Sequence, residues 1–197
     1  HSFPTRRSSD LDAHGDVRYR GHRVYLDHFG FKQNDGSYEL KARANTETGE
    51  LDGKLTVDNG DINALLAMAN LKNDKLAGRL NGTILLGGTL ANPLAQLNGF
   101  VGQGSIAGYD VHDINMNLSL ANHVITLDQF QGKQGVSGVF AAKGTADLEG
   151  PLQVQFSAQG IDAGILGKLA GIDAKVRGSV NLDAQLGGTM AEPAADL

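Results

Sequence analysis

Histidine, aspartate, lysine and glycine are the residues with which this chain could ligate a metal, move a proton or hold a phosphate, and their spacing decides which of these is open. The six histidines, His1, His14, His22, His28, His112 and His123, never stand at the i, i+4 spacing that sets two imidazoles on one helix face around zinc. With no cysteine there is no thiolate ligand and no disulfide framework. Asp58-Asn59-Gly60-Asp61 gathers two carboxylates, but it lacks the acidic ladder and distal glutamate of a calcium loop and reads as a turn in which Asp61 caps a helix. Gly102-Gln103-Gly104, inside the glycine-rich stretch Gly99 to Gly108, lacks the full dinucleotide-binding spacing and opens no helix, so it reads as strand. Gly167-Lys168 fails as a phosphate loop, because Asp162 stands five residues before Gly167 and Leu169 replaces the Ser or Thr that would hold magnesium.

Other enzyme and binding classes find as little support. A remote carboxylate pair for glycoside hydrolysis leaves no local trace, and no pattern points to one. Without tryptophan, and with seven Phe and four Tyr, the chain lacks the stacking platforms typical of sugar and single-strand binding. The net charge of −5, with no basic run beyond Arg6-Arg7, gives no footprint for nucleic acid. The sequence therefore predicts no catalytic residue, no metal and no cofactor.

What remains is partition, in which an apolar surface takes up an apolar partner. Successive side chains of a strand point to opposite sides, so alternation of apolar and polar residues makes one apolar face. Such runs recur along the chain: Tyr38 to Ala44 offers Leu40, Leu51 to Val57 offers Leu55 and Val57, and the segment Gly78 to Gly88 offers Leu80, Ile84 and Leu86. Ile114 to Leu120 adds Ile114, Met116, Leu118 and Leu120, and Phe140 to Leu148 adds its two end residues. Leu152, Val154 and Phe156 follow in Leu152 to Ala158, and Val180, Leu182 and Leu186 in Val180 to Leu186. Turn signals at Asn34-Asp35-Gly36, Glu47-Thr48-Gly49, Asn59-Gly60 and Glu149-Gly150-Pro151 separate the runs, which predicts roughly fourteen antiparallel strands. Two segments follow a helical period instead. Asp61 to Leu71 places Ile62, Leu65, Leu66 and Ala69 on one face, Asp162 to Leu169 does so with Ile165, Leu166 and Leu169, and each opens on a capping aspartate. Two short amphipathic helices cannot cover so many strands, so the apolar face must close on itself or remain a groove.

The chain also repeats itself. Lys75 to Leu97 aligns without a gap on Lys175 to Leu197, and eleven of the 23 positions are identical, too many for an accident of composition. Val24 to Phe29, VYLDHF, matches Ile125 to Phe130, ITLDQF, one residue out of step with the first match. The expected organisation is a first β-rich unit at 12–99 with its helix near 61–71 and a second at 100–197 with its helix near 162–169, the second breaking off where the first continues into Asn98-Gly99. The first eleven residues, HSFPTRRSSDL, share no pattern with the rest; they resemble the translation of a sequencing-adapter oligonucleotide and are set aside as a non-native scar.

The phrase Leu86-Gly87-Gly88-Thr89-Leu90-Ala91-Asn92-Pro93, preceded by Gly78 to Thr83 and by the segment Asp61 to Leu71, and repeated as Leu186-Gly187-Gly188-Thr189-Met190-Ala191-Glu192-Pro193, resembles the recurring units of the TamB/AsmA-like family. The resemblance runs from about Val17 to the end, without the signal-anchor and terminal domain of full-length members. It implies an elongated, repeat-built, curved antiparallel sheet in the periplasm, anchored to the inner membrane by a part of the protein not in this sequence. It further implies a groove, lined by the apolar-face residues named above, that carries phospholipid acyl chains toward the outer membrane, and partnership with a BamA/TamA-type outer-membrane protein in translocation and assembly. The competing expectations are a structural or adhesive β-solenoid or sandwich with a closed core that binds no lipid and, from the enzyme class, a fragment of a β-rich hydrolase.

Overall fold

The computed structural model describes residues 12–33, 35–68, 75–169, 177–189 and 193–196. The expected scar at 1–11, Asn34, the end of the first helical segment at Ala69 to Leu71, and Met190 to Glu192 lie outside the described residues. The alternating segments form strands β1 (Asp12–Arg20), β2 (Arg23–Gln33), β3 (Gly36–Asn45) and β4 (Leu51–Asp61), followed by helix α1 (Ile62–Met68). Next come β5 (Leu76–Gly88), β6 (Pro93–Ile106), β7 (Tyr109–Ala121), β8 (Val124–Gln134), β9 (Gly138–Asp147) and β10 (Leu152–Asp162). Helix α2 (Ala163–Leu169), β11 (Ser179–Gly188) and β12 (Pro193–Asp196) complete the order. The strands lie side by side in chain order in one antiparallel sheet. Strand β1 pairs with β2 and β12 with β11, and the two edges do not meet, so the sheet is open. Twelve strands spaced ~4.8 Å apart span roughly 50 Å across their direction.

Among the described residues the count is twelve rather than about fourteen, because breaks in the alternation are bulges inside long strands. Asn59-Gly60, expected as a turn, lies within β4: the register slips between Val57 and Gly60, and Asn59 sits at φ 53°. A bulge adds one residue to one strand and resets which parity faces the core. The second unit builds the same device at Gly160, φ 64°, where the register slips between Ala158 and Ile161. Both bulges are pinned alike: the Asn59 N–H donates to Asn81 Oδ1 at 2.9 Å, and the Gly160 N–H to Asn181 Oδ1 at 2.8 Å.

Other punctuation is shared as well. Gly21-His22 and Asn122-His123 join their strands with positive φ at both central residues, the two-residue turn that matches strand twist. Gly88 and Gly188 both take φ 76° at the end of the glycine pair in the repeated phrase. Asp61 Oδ1 accepts from the N–H groups of Asn63 and Ala64 at 2.8 and 3.3 Å, and Asp162 Oδ1 from that of Gly164 at 2.8 Å, so each helix starts at its aspartate cap. The junction of the two sequence units at 99 and 100 falls inside β6, and the sheet runs through it unbroken.

Candidate apolar groove

Residues opposite one another on antiparallel neighbours share a face, so the register can be followed across the sheet. One row runs Phe29, Leu40, Leu55, Ile84, Leu97, Leu118, Leu127, Gly144, Val154, Leu186, one residue on each strand from β2 to β11. A second row on the same face contains Leu86, Ala95, Leu120, Ile125, Ala146 and Leu152. A third contains Val57, Gly82, Gly99, Met116, Phe130, Ala142 and Phe156. A fourth brings Leu80, Val101 and Ile114 together on β5 to β7, and Phe140, Ala158 and Leu182 on β9 to β11, with Val180 opposite Ile161. Seventeen of the eighteen candidates named from the sequence thus stand on one apolar face that crosses the sheet.

Leu148 is the exception. Strand β9 ends at Asp147, and Leu148 follows in the turn, 40 % exposed, with its N–H donated to the His123 carbonyl at 2.9 Å. The short segment Glu149-Gly150-Pro151 must reverse the chain there, which ends the alternation before Leu148 is reached.

The face is covered unevenly. Helix α2 lies between β10 and β11 in the chain yet reaches β7, with the Lys168 ammonium 5.2 Å from the centre of the Tyr109 ring. A Cβ on Gly164 would collide with the Tyr109 hydroxyl, so glycine is what allows this approach. Ile165 of α2 is buried with Leu80, Val101, Val111, Ile114, Phe140, Ala158 and Ile161, and Ile62 and Leu65 of α1 pack against the same cluster. The helices therefore roof one margin of the face. Of the groove candidates, Leu80, Ile114 and Phe140 are buried in that margin, and Val57 and Val154 are buried elsewhere on the face, so these five form closed packing and not open lining. Leu40, Leu55, Ile84, Leu86, Met116, Leu118, Leu120, Leu152, Phe156, Val180, Leu182 and Leu186 remain half-buried. These twelve make up the half-buried part of the apolar face, which crosses the strands beside the margin roofed by the helices.

Sequence reasoning passed over Val101, the most deeply buried hydrophobic side chain among the described residues at 0 % exposure. It follows Phe100 directly in Gly99 to Gly104, and two adjacent apolar residues set among glycines hide the alternation. Tyr38 was also passed over: buried and stacked on Phe31 with ring centres 4.5 Å apart, it accepts the Asp61 N–H at 3.1 Å through its hydroxyl.

Three of the histidines first weighed for chemistry, His22, His28 and His112, each meet a carboxylate. His28 is exposed beside Glu39 at 3.4 Å, and His22 is exposed beside Glu47 at 3.6 Å. His112 is the most engaged, with Nε2 at 2.9 Å from the Gly135 carbonyl and Nδ1 at 3.2 Å from Asp113, whose carboxylate also accepts from Lys133 at 3.1 Å. The Gly135 carbonyl first, and then the Asp113 carboxylate, raise the His112 imidazole above its ordinary pKa. Lys133 and then His112 hold the Asp113 carboxyl below its ordinary pKa. Among the described residues no three His, Cys, Asp or Glu side chains are gathered where a metal ion could sit, and no helix is long and apolar enough to cross a membrane. Comparison with protein-family models, with curated proteins and with solved structures returns no match.

Proposed function

We propose that this chain is a segment of an envelope-spanning protein of the TamB/AsmA type, whose apolar groove carries phospholipid acyl chains between the inner and outer membranes and serves outer-membrane assembly. The observation that carries this reading is the single open sheet, whose apolar face crosses ten strands in register and, apart from Val57, Ala146 and Val154, stays largely half-buried away from the helices. A closed core would bury that face throughout, and twelve of the seventeen candidates on it are only half-buried.

The mechanism is partition. A fully buried methylene gains about 0.8 kcal/mol, and a half-covered face provides part of that. The lining is uniform, mostly Leu with Ile, Val, Met and Phe, so each step of an acyl chain along the groove exchanges one contact for an equivalent one. No deep minimum stops it. Headgroups stay in water at the unroofed lip. Direction then comes from a partner, such as a BamA-type outer-membrane protein, or from lipid supply at the inner-membrane anchor.

The test is photo-crosslinking in cells. A crosslinking residue at Leu118 or Leu182 should capture phospholipid, while one at Asn117 or Asn181, a single step along the same strand and hence on the other face, should not. Equal capture at both parities, or capture at neither, would refute the groove in favour of a closed structural module.

A further inference from the structure

We propose that the opposite, polar face of the sheet holds a second site, an elongated trough across β6 to β11 that binds a linear uncharged glycan. A second register row defines it: Phe100, Asn115, Gln131, Ala141, Ser157 and Asp183 lie side by side on six successive strands. Six strands at ~4.8 Å spacing give a row roughly 24 Å long. Two open depressions, of about 680 and 700 Å³, lie along it and share Gln131, Ala141 and Ser157, so together they form one channel. The short side chains of Ala141 and Ser157 make its floor, and longer ones on either side, among them Lys143, Gln155 and Gln159, make its walls.

The lining selects the ligand by chemistry. Asn115 and Gln131 are exposed amides that both donate and accept, which suits hydroxyl groups. Phe100 and Val139 face outward among them, 40 % and 43 % exposed, apolar plates that the aromatic-poor composition gave no reason to expect. The C–H face of a pyranose ring matches such a plate. Charge on the walls is mixed: Lys133 is already held by Asp113, and Asp128, Lys143 and Asp183 line the second depression together. No excess of cations is left to hold a polyanion. An acyl chain would strip water from the amides without replacing their hydrogen bonds, and an extended peptide adds to a sheet edge through its backbone, not across a face. A long, uncharged, hydroxyl-rich chain satisfies all these constraints. The apolar groove lies on the other side of the sheet, so this site stands or falls independently of it.

The test is calorimetric titration of the 197-residue chain with linear tetrasaccharides of β-1,4-N-acetylglucosamine, β-1,4-glucose and α-1,4-glucose, and with heparin oligosaccharide as a polyanion comparator. At least one neutral tetrasaccharide should bind saturably and independently of salt. Phe100→Ala should weaken it roughly tenfold, and Ser157→Arg, which fills the floor, should abolish it. Gln96→Ala, on the same face outside the trough, should leave it unchanged. Gln131→Ala, which trims one exposed amide, should weaken binding severalfold and serves if Ser157→Arg does not fold. Failure of all three neutral sugars to bind, salt-sensitive binding of heparin alone, or neutral binding that survives both Phe100→Ala and Gln131→Ala would overturn the proposal.

Discussion

Placing a charge at two points of the apolar face separates an open groove from a closed core. Leu118 stands between Leu97 and Leu127 in the row that runs under the unroofed part of the face, and it is half-buried. Full burial of a leucine is worth roughly 1.5–3 kcal/mol, so Leu118→Arg forfeits about half of that. The arginine stem can lie along Leu97 and Leu127 while its guanidinium reaches water at the open lip, so no unpaired charge is buried. A loss of about 0.8–1.5 kcal/mol in a chain of this size lowers the melting temperature by roughly 2–6 °C. Val101 stands between Leu80 and Ile114 in the helix-roofed margin and is 0 % exposed. There an arginine buries a charge without a partner, at a cost of roughly 3–5 kcal/mol beyond the lost packing, so Val101→Arg should melt about 10 °C lower or more, or fail to fold. The assay is thermal unfolding followed by circular dichroism, beside uptake of a fluorescent fatty acid. Leu118→Arg should fold and lose uptake. If Leu118→Arg melts as low as Val101→Arg, the face is closed throughout and the groove reasoning is wrong.

The remaining predictions concern the frame. Asp61→Ala and Asp162→Ala should each cost about 1 kcal/mol by loss of a helix cap, and urea titration should find the two losses additive because the sites share no partner. Gly88→Ala, with φ 76° and a Cβ that would meet the Asn92 carbonyl, should destabilise more than Gly21→Ala, with φ 54° and open space around it; equal midpoints in denaturant would contradict this. For His112 the folded state favours the imidazolium, so its stabilising contribution is complete below the ordinary value of 6.5 and is lost as pH rises through the raised value. His112→Gln should therefore flatten the fall in stability over that window, as measured by denaturant midpoints across pH. Small-angle scattering should give a radius of gyration above ~19 Å, where a compact chain of this length would give ~16 Å.

Parity was the most legible part of the fold, because a period of two is set by backbone geometry and needs no tertiary information. Met116, Leu118 and Leu120 could be assigned to one face by eye, and the register agrees. The turns at Glu47-Thr48-Gly49 and the capped helix starts were legible for the same local reason. Bulges were not. At Asn59-Gly60 the local signal, a residue pair suited to positive φ, is the same for a turn and for a bulge, and what decides is whether a partner strand continues alongside. Here β5 does. The division of the face into roofed and open parts was likewise hidden, because α2 reaches Tyr109 across the sheet and nothing in Ala163 to Leu169 names that partner. The polar trough depends on small residues meeting across β9 and β10, a juxtaposition invisible until the register is known.

Strand order follows chain order without a single crossover. Every pairing is therefore made with the next segment of chain, and no long loop has to close before a contact is gained. Such a sheet can grow at one edge as the polypeptide emerges, and under tension it should peel from that edge a strand at a time. Its span is also a matter of copy number. One further unit of the repeat, six strands and a helix, would lengthen the sheet by roughly 29 Å at ~4.8 Å per strand without altering any existing contact. Duplication or loss of a unit thus changes the distance this architecture can bridge in fixed increments, as adding links changes the reach of a chain.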